Sequence, residues 1–263
     1  MKKKISVFFL ILLTTSLFCN ACSCSSANLK YTATASDILP RTSFVHIKKR
    51  LSISRCFEDR CAIMNFDSAA SGFIMKVVSD GSFIITAAHV CTDAAPIKFQ
   101  TDKIHSRYRV YRLDGEKYTA KVLTYDVDID VCLMFAKDLT NDVRAVRIAR
   151  EKPKPGDRIY NIAAPRGLFQ PNAAPILEGR YNGRYGNSDW YTLPAAPGSS
   201  GSMIVNHKGE LVGMVHSVFI NFMVMTLSTE YEDLKLFINS NLHKYMTYKK
   251  VMDLLELKDI FRS

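Results

Sequence analysis

From Phe44 to Leu227 the chain is a succession of short runs rich in β-branched and aromatic residues, each closed by a turn signal, and few architectures accept such a pattern. The runs are Phe44 to Ile47, Gly72 to Val78, Phe83 to Thr86, Tyr108 to Arg112, Tyr118 to Thr124, Val131 to Phe135, Arg158 to Ile162, Ile176 to Tyr181, Met203 to Val205, Leu211 to Val218 and Phe222 to Leu227. Ser79-Asp80-Gly81, Asp114-Gly115 and His207-Lys208-Gly209 supply turns between them. Many short strands at this spacing predict an all-β barrel or sandwich. A hydrophobic fraction of 48 % in 263 residues suffices for one large domain or two small ones. Past Thr229 the period changes. Tyr231, Leu234, Leu236 and Phe237, then Tyr248, Val251, Met252 and Leu255, recur at three and four residues, which predicts amphipathic C-terminal α-helices.

The N-terminus follows a different plan. Met1 to Lys4 is basic, Ile5 to Phe18 is apolar with small polar interruptions, and Cys19-Asn20-Ala21-Cys22 comes next. That is the layout of a secretory signal peptide over residues 1–21, and the apolar run is short against the roughly 20 residues that span a bilayer. Cleavage after Ala21 leaves Cys22 first, where acylation would attach the protein to a membrane through a lipid. Cys19 stands where the lipid signal usually has Leu, so free secretion and lipid anchoring both stay open. Either way the protein is expected to be exported, periplasmic or extracellular. Residues 22–42 read as a flexible tether, 43–240 as the folded domain and 241–263 as a helical extension packed on it.

Loss of Lys2, Lys3 and Lys4 lowers the formal charge from +10 by three. The remaining basic residues, among them Lys48-Lys49-Arg50, are not interleaved with aromatics, so they read as solvated surface and no nucleic-acid partner is expected. The spacing of Cys56 and Cys61 fits a small loop disulfide in an oxidising compartment. Zinc would need a second close pair of Cys or His, and the sequence offers none of suitable spacing, so no metal is expected. Cys91 competes as a partner for Cys56 or Cys61, and Cys132, inside an apolar run, reads as a small buried core residue.

Three polar residues stand at the ends of the apolar runs, in the order His, Asp, Ser. His89 comes after Ile84-Ile85-Thr86-Ala87-Ala88, whose small residues let the chain turn sharply. Asp130 opens Val131 to Phe135, at the mouth of a buried strand, while Asp126 and Asp128 fall further out and read as facing water. Ser200 lies in Gly198-Ser199-Ser200-Gly201-Ser202. A serine hydroxyl is a weak nucleophile until an imidazole takes its proton, and the imidazole needs a carboxylate to fix its tautomer. Gly198 can adopt the backbone conformation that aims its N–H, with that of Ser200, at a developing oxyanion. The pattern predicts a nucleophile, base and orienting acid, with no cofactor required.

These motifs, together with Pro155 to Gly167 and Asn206 to Gly213, resemble the trypsin-like serine peptidases of the chymotrypsin fold, in particular HtrA-type and glutamyl-endopeptidase-type catalytic domains, over about residues 70 to 240. The resemblance implies two packed six-stranded antiparallel β-barrels. His89 and Asp130 would come from the first and Ser200 from the second, acting on protein or peptide substrates. Departures from the family pattern limit how far the resemblance reaches. Ser199 replaces the acidic residue that digestive members use in activation, Pro194 stands where trypsin has a carboxylate, and the chain has no PDZ-length segment after the folded domain. Glutamyl endopeptidases place a His on the strand after the serine hairpin; His216 falls one residue late in register, so it reads equally as a specificity-pocket residue or a surface one. Two rivals carry different chemistry. A peptide-gripping module would retain the fold without the triad, and an esterase-like hydrolase would order its triad Ser, Asp, His. The oligomeric state stays open.

Overall fold

The computed structural model describes residues 34–57, 60–93, 103–219 and 222–260, and of Phe57, Phe222, Met223 and 248–260 only the backbone. The leader, Cys22 and the tether up to Ala33 lie outside the described residues. The first barrel comprises β1 (Phe44–Phe57), β2 (Arg60–Val78), β3 (Gly81–Thr86), β4 (Lys103–Arg112), β5 (Lys117–Asp126) and β6 (Val131–Lys137). The second comprises β7 (Arg158–Ile162), β8 (Ile176–Tyr185), β9 (Ser188–Thr192), β10 (Met203–Val205), β11 (Leu211–Phe219) and β12 (Phe222–Thr229). Each sheet closes, in the orders β1-β2-β3-β6-β5-β4 and β10-β11-β12-β9-β8-β7, through antiparallel pairs. The all-β expectation and the six-stranded barrels implied by the resemblance are both met.

Closure explains which residues face inward. β3 is buried along its whole length, because one face fills the barrel and the other meets neighbouring elements. One apolar cluster runs from Phe44, Phe73, Ile84 and Leu133 of the first barrel to Ile162, Met203 and Met214 of the second, so the barrels share a core. Leu234, Phe237 and Ile238 join it from a helix.

Apart from strand ends, most of all where the runs Phe44 to Ile47 and Gly72 to Val78 extend into β1 and β2, the structure departs from the sequence reading at four places. β9 lies in a stretch read as a connection, since Ser188 and Asp189 are poor strand formers and the strand is short. The tether ends earlier than residue 42. A short helix, α1 (Ala35–Ile38), begins with Thr34 N–H donating to Asp37 Oδ2 at 2.9 Å, and Leu39 is buried in the core. At the other end the expected helices form one, α3 (Tyr231–Ile260), which runs through position 240 because neither Gly nor Pro interrupts it. Its first turn is fixed by Tyr231 N–H to buried Asp189 at 2.8 Å, and further along Tyr245 Oη donates to the Leu123 carbonyl of β5 at 2.8 Å.

The fourth departure concerns cysteines. Cys56 is bonded to Cys61 across the β1–β2 turn, and Cys132, buried as read but with no partner foreseen, is bonded to Cys91. The register pairs Thr86 with Cys132, so the short helix α2 (Ala88–Cys91) that leaves β3 carries Cys91 back over β6. With a sequence separation of 41, this bridge removes more unfolded-chain entropy than the small loop does. The double variant Cys91→Ala/Cys132→Ala is expected to lose about 4 kcal/mol of unfolding free energy, read from urea denaturation. An unchanged midpoint would refute that role.

Candidate active site

β3 ends at Thr86, Ala87 is extended, and α2 turns the next residues out of the sheet, which leaves the His89 side chain 49 % exposed at the barrel edge. Asp130 grips it twice. Its Oδ2 lies 2.8 Å from His89 Nδ1 and its Oδ1 accepts the His89 backbone N–H at 2.9 Å. Nε2 is thereby left as the ring nitrogen that can exchange a proton. Asp130 adopts a left-handed conformation, φ 54°, at the end of the turn before β6. Asp126, read from the sequence as facing water, and Thr229, which sequence reasoning passed over, hold it there. Asp126 Oδ1 accepts N–H groups of Asp128 and Ile129 at 2.9 and 3.3 Å, and Thr229 Oγ1 on β12 donates to the Ile129 carbonyl at 2.8 Å. Asp128 itself is exposed.

The loop from Pro197 to Ser202 can be followed bond by bond. The Pro197 carbonyl accepts from Arg166 N–H at 2.5 Å, Gly198 O from Ser71 Oγ at 2.9 Å, Ser199 O from Ser202 N–H at 3.0 Å and Ser200 O from Ser71 N–H at 2.9 Å. Among the amides, Ser199 donates to Ala196 O and Gly201 to Val215 O, at 2.8 and 2.7 Å. Those of Gly198 and Ser200 donate to no described residue. In a trans peptide the N–H points opposite the carbonyl. The anchored Pro197 and Ser199 carbonyls therefore point these two free donors away from Arg166 and Ser202, which hold those carbonyls. Gly198, at φ 100°, is what permits this path, since a Cβ there would come within 2.5 Å of the Ala164 carbonyl.

Ser71 is the unanticipated centre of the arrangement. It is fully buried on β2, and besides its two bonds to the Ser200 loop its Oγ accepts the Ala164 N–H at 2.9 Å, while its carbonyl accepts from Thr86 Oγ1 at 2.8 Å. It thus ties the strand leading to His89 directly to the loop carrying Ser200. No hydrogen bond joins Ser200 Oγ to the His89 ring among the described residues; contacts of this kind tighten when substrate binds. No cluster of three or more metal-ligating side chains occurs among the described residues.

The family model described as a trypsin-like peptidase domain matches residues 70–214, a span that opens beside Ser71 and takes in His89, Asp130 and Ser200. This chain belongs to the trypsin-like peptidase family. Its relatives include the "Serine protease HtrA-like" of Staphylococcus haemolyticus (strain JCSC1435), 26 % identical over 172 residues, covering 60 % of this chain and 25 % of the relative. The "Probable periplasmic serine endoprotease DegP-like" of Marinomonas sp. (strain MWYL1) is 30 % identical over 159 residues, 58 % of this chain and 30 % of the relative. "Serine protease HTRA1" of Xenopus laevis is 28 % identical over 156 residues, 56 % and 31 % of the two chains. The chain therefore matches only about a quarter to a third of the length of these relatives.

In this trypsin-like peptidase the register question at His216 has a physical answer. The β11–β12 pairing is irregular between Val215 and Ser217, so one residue is accommodated as a bulge. His216 is half-buried, with Nε2 3.3 Å from Ser188 Oγ. Its pKa is pushed down, first by burial, with the charge of Asp130 opposing and that of His89 assisting. The influence of both charges places it in the neighbourhood of the candidate site.

Proposed function

We propose that this trypsin-like peptidase is a serine endopeptidase in which Ser200 is the nucleophile, His89 the general base and then acid, and Asp130 the group that orients it. One observation carries the reading. The two amides flanking Ser199, those of Gly198 and Ser200, are the loop's unbonded backbone donors, and Ser71 ties that loop to the strand leading to an imidazole held by a carboxylate. Ser200 Oγ would bond to the scissile carbonyl carbon as its proton passes to His89 Nε2. The negative charge on the carbonyl oxygen would be met by the N–H groups of Gly198 and Ser200. Collapse breaks the C–N bond, and His89 returns its proton to the departing amine. Water then adds to the acyl carbon with the same base, releasing a carboxylic acid and restoring Ser200. Asp130 would keep the proton on Nδ1 and stabilise the imidazolium.

The chain is read as exported, supported by its basic and apolar leader, two disulfides and relatives named periplasmic. A fluorophosphonate is expected to label the wild-type protein on Ser200 and to leave Ser200→Ala unlabelled, read by mass spectrometry of the modified peptide. Label on Ser199 or Ser202 would overturn the assignment.

A further inference from the structure

The face of the first barrel that carries Ser71 is built of cross-strand rows. One row is Tyr111, His46 and Ser71, with His46 stacked at 5.0 Å on Phe169 from the second barrel. The next row on the same face is Arg109, Lys48 and Ala69, and the one after it Arg107, Arg50 and Asp67. Partners in a row share a face and successive rows lie about 7 Å apart, so cations begin one row away from the residue that holds the Ser200 loop. Lys48, Arg50, Arg107 and Arg109 are all exposed and line a groove of about 450 Å³. Asp67 is the carboxylate in its lining, and Arg50 already takes both its oxygens, at 2.7 and 2.8 Å.

Like charges directly opposite one another destabilise a sheet, and here Lys48 faces Arg109 while Arg50 faces Arg107. An arrangement of that kind is relieved by an anion. The groove also adjoins the Ser200 loop. A Cβ on Gly167 would lie 3.8 Å from that of Ala69, and one on Gly198 would lie 3.2 Å from the Gly167 nitrogen, so the groove's rim touches the loop that presents the free donors. Finally, β2 pairs with β3 only from Phe73 onward, and residues 60–68 are exposed. Among the described residues this leaves an edge on which an extended chain can add as a strand.

We propose that this groove is a substrate subsite that selects acidic side chains, Asp or Glu, in a peptide lying extended along the β2 edge. The inference rests on the endopeptidase reading. The selective row is the one at Ala69, whose small side chain lets a carboxylate from the added strand pass across to Lys48 and Arg109. In the adjoining row Asp67 occupies that place and repels it. Alternation along a strand makes the requirement positional, since a carboxylate one residue away points to the opposite face. Lys49, between the two cations on β1, takes no part, because its ammonium is turned to the Thr92 carbonyl and Asp93 at 2.5 and 3.1 Å.

The test uses two sets of peptides, one scanning a single Glu through successive positions on both sides of the scissile bond and one with Gln in its place. The full chain is compared with Lys48→Glu/Arg109→Glu after matching their thermal unfolding. The Glu-to-Gln ratio in kcat/KM is expected to favour Glu about tenfold at one position, to fall with added salt, and to be lost or reversed in the double variant. The Ser200→Ala protein supplies an arm independent of turnover, binding of the labelled Glu and Gln peptides by fluorescence anisotropy. Charge-dependent binding without hydrolysis in the wild type would retire the catalytic reading and keep the subsite. An equal Glu-to-Gln ratio in wild type and double variant would overturn the proposal. Binding of inorganic polyphosphate or of phosphatidylglycerol vesicles, with no dependence on where Glu stands, would likewise replace it with a general anion site.

Discussion

Ser200→Ala and His89→Ala are each expected to reduce peptide hydrolysis by about 10⁶-fold, to the residual level supplied by the free amides and substrate binding, because the members act as one unit. Combining the two should cost little more than either alone. Asp130→Asn should be slower by about 10⁴-fold while remaining folded, since an amide side chain favours the wrong imidazole tautomer. The structure adds a reason to expect partial folding strain in that variant. Asp130 also accepts the His89 backbone N–H, and Asn can keep that bond through its oxygen only by turning its amide toward Nδ1. Exposed Asp128 offers the control, with Asp128→Asn retaining most activity. Steady-state rates and circular dichroism on the same preparations check both halves. Full activity in Asp130→Asn would remove Asp130 from the mechanism.

Gly201→Ala is the second large effect, and it falls on folding as well as on rate. Gly201 has φ 82°, and a Cβ there would come within 2.2 Å of Thr86 Oγ1, 2.3 Å of the Ser71 carbonyl and 2.9 Å of the Ala87 nitrogen. The left-handed backbone costs a non-glycine residue about 1–2 kcal/mol and overpacking typically adds about 1–3. Backbone atoms cannot swing aside as a long side chain would, so the strands that hold His89 and Ser200 must separate. Gly183→Ala isolates the backbone part, because Gly183 has φ 122° but no atom within 4 Å of its Cβ position. Urea denaturation should show a loss for Gly201→Ala clearly beyond that for Gly183→Ala, together with near-complete loss of hydrolysis. Equal losses in the two variants would mean that the contact across the barrels is slack.

How much of the fold and of the site is legible in the sequence depends on the range over which the information is written. β7 and β10 are bounded correctly because apolar and β-branched content and flanking turns are local signals. The His, Asp and Ser motifs are visible for the same reason. β9 is not, since its second residue, Asp189, is a buried carboxylate tied to Lys152 at 2.7 Å and to the start of α3. A strand that serves as an ion-pair anchor loses the alternation by which strands are recognised. The Cys91–Cys132 bridge depends on the β3–β6 register, and Ser71 on the docking of one barrel against the other. Neither is encoded within a window of neighbouring residues. His216 shows the intermediate case, where the one-residue offset is visible but the bulge that absorbs it is not.

The cross-barrel ties also set when the site comes into being. Ser71 reaches Gly198 across 127 positions, and Thr229 reaches back 100 positions to Ile129. Contacts this distant in the chain form late, after loop-closure entropy has been met by the rest of the fold. A growing or partly threaded chain that already contains His89, Asp130 and Ser200 still lacks the strand that fixes the turn at Asp130. Under the proposed function, hydrolysis is therefore expected only of the finished domain, and the order of assembly itself would withhold it from an incomplete molecule.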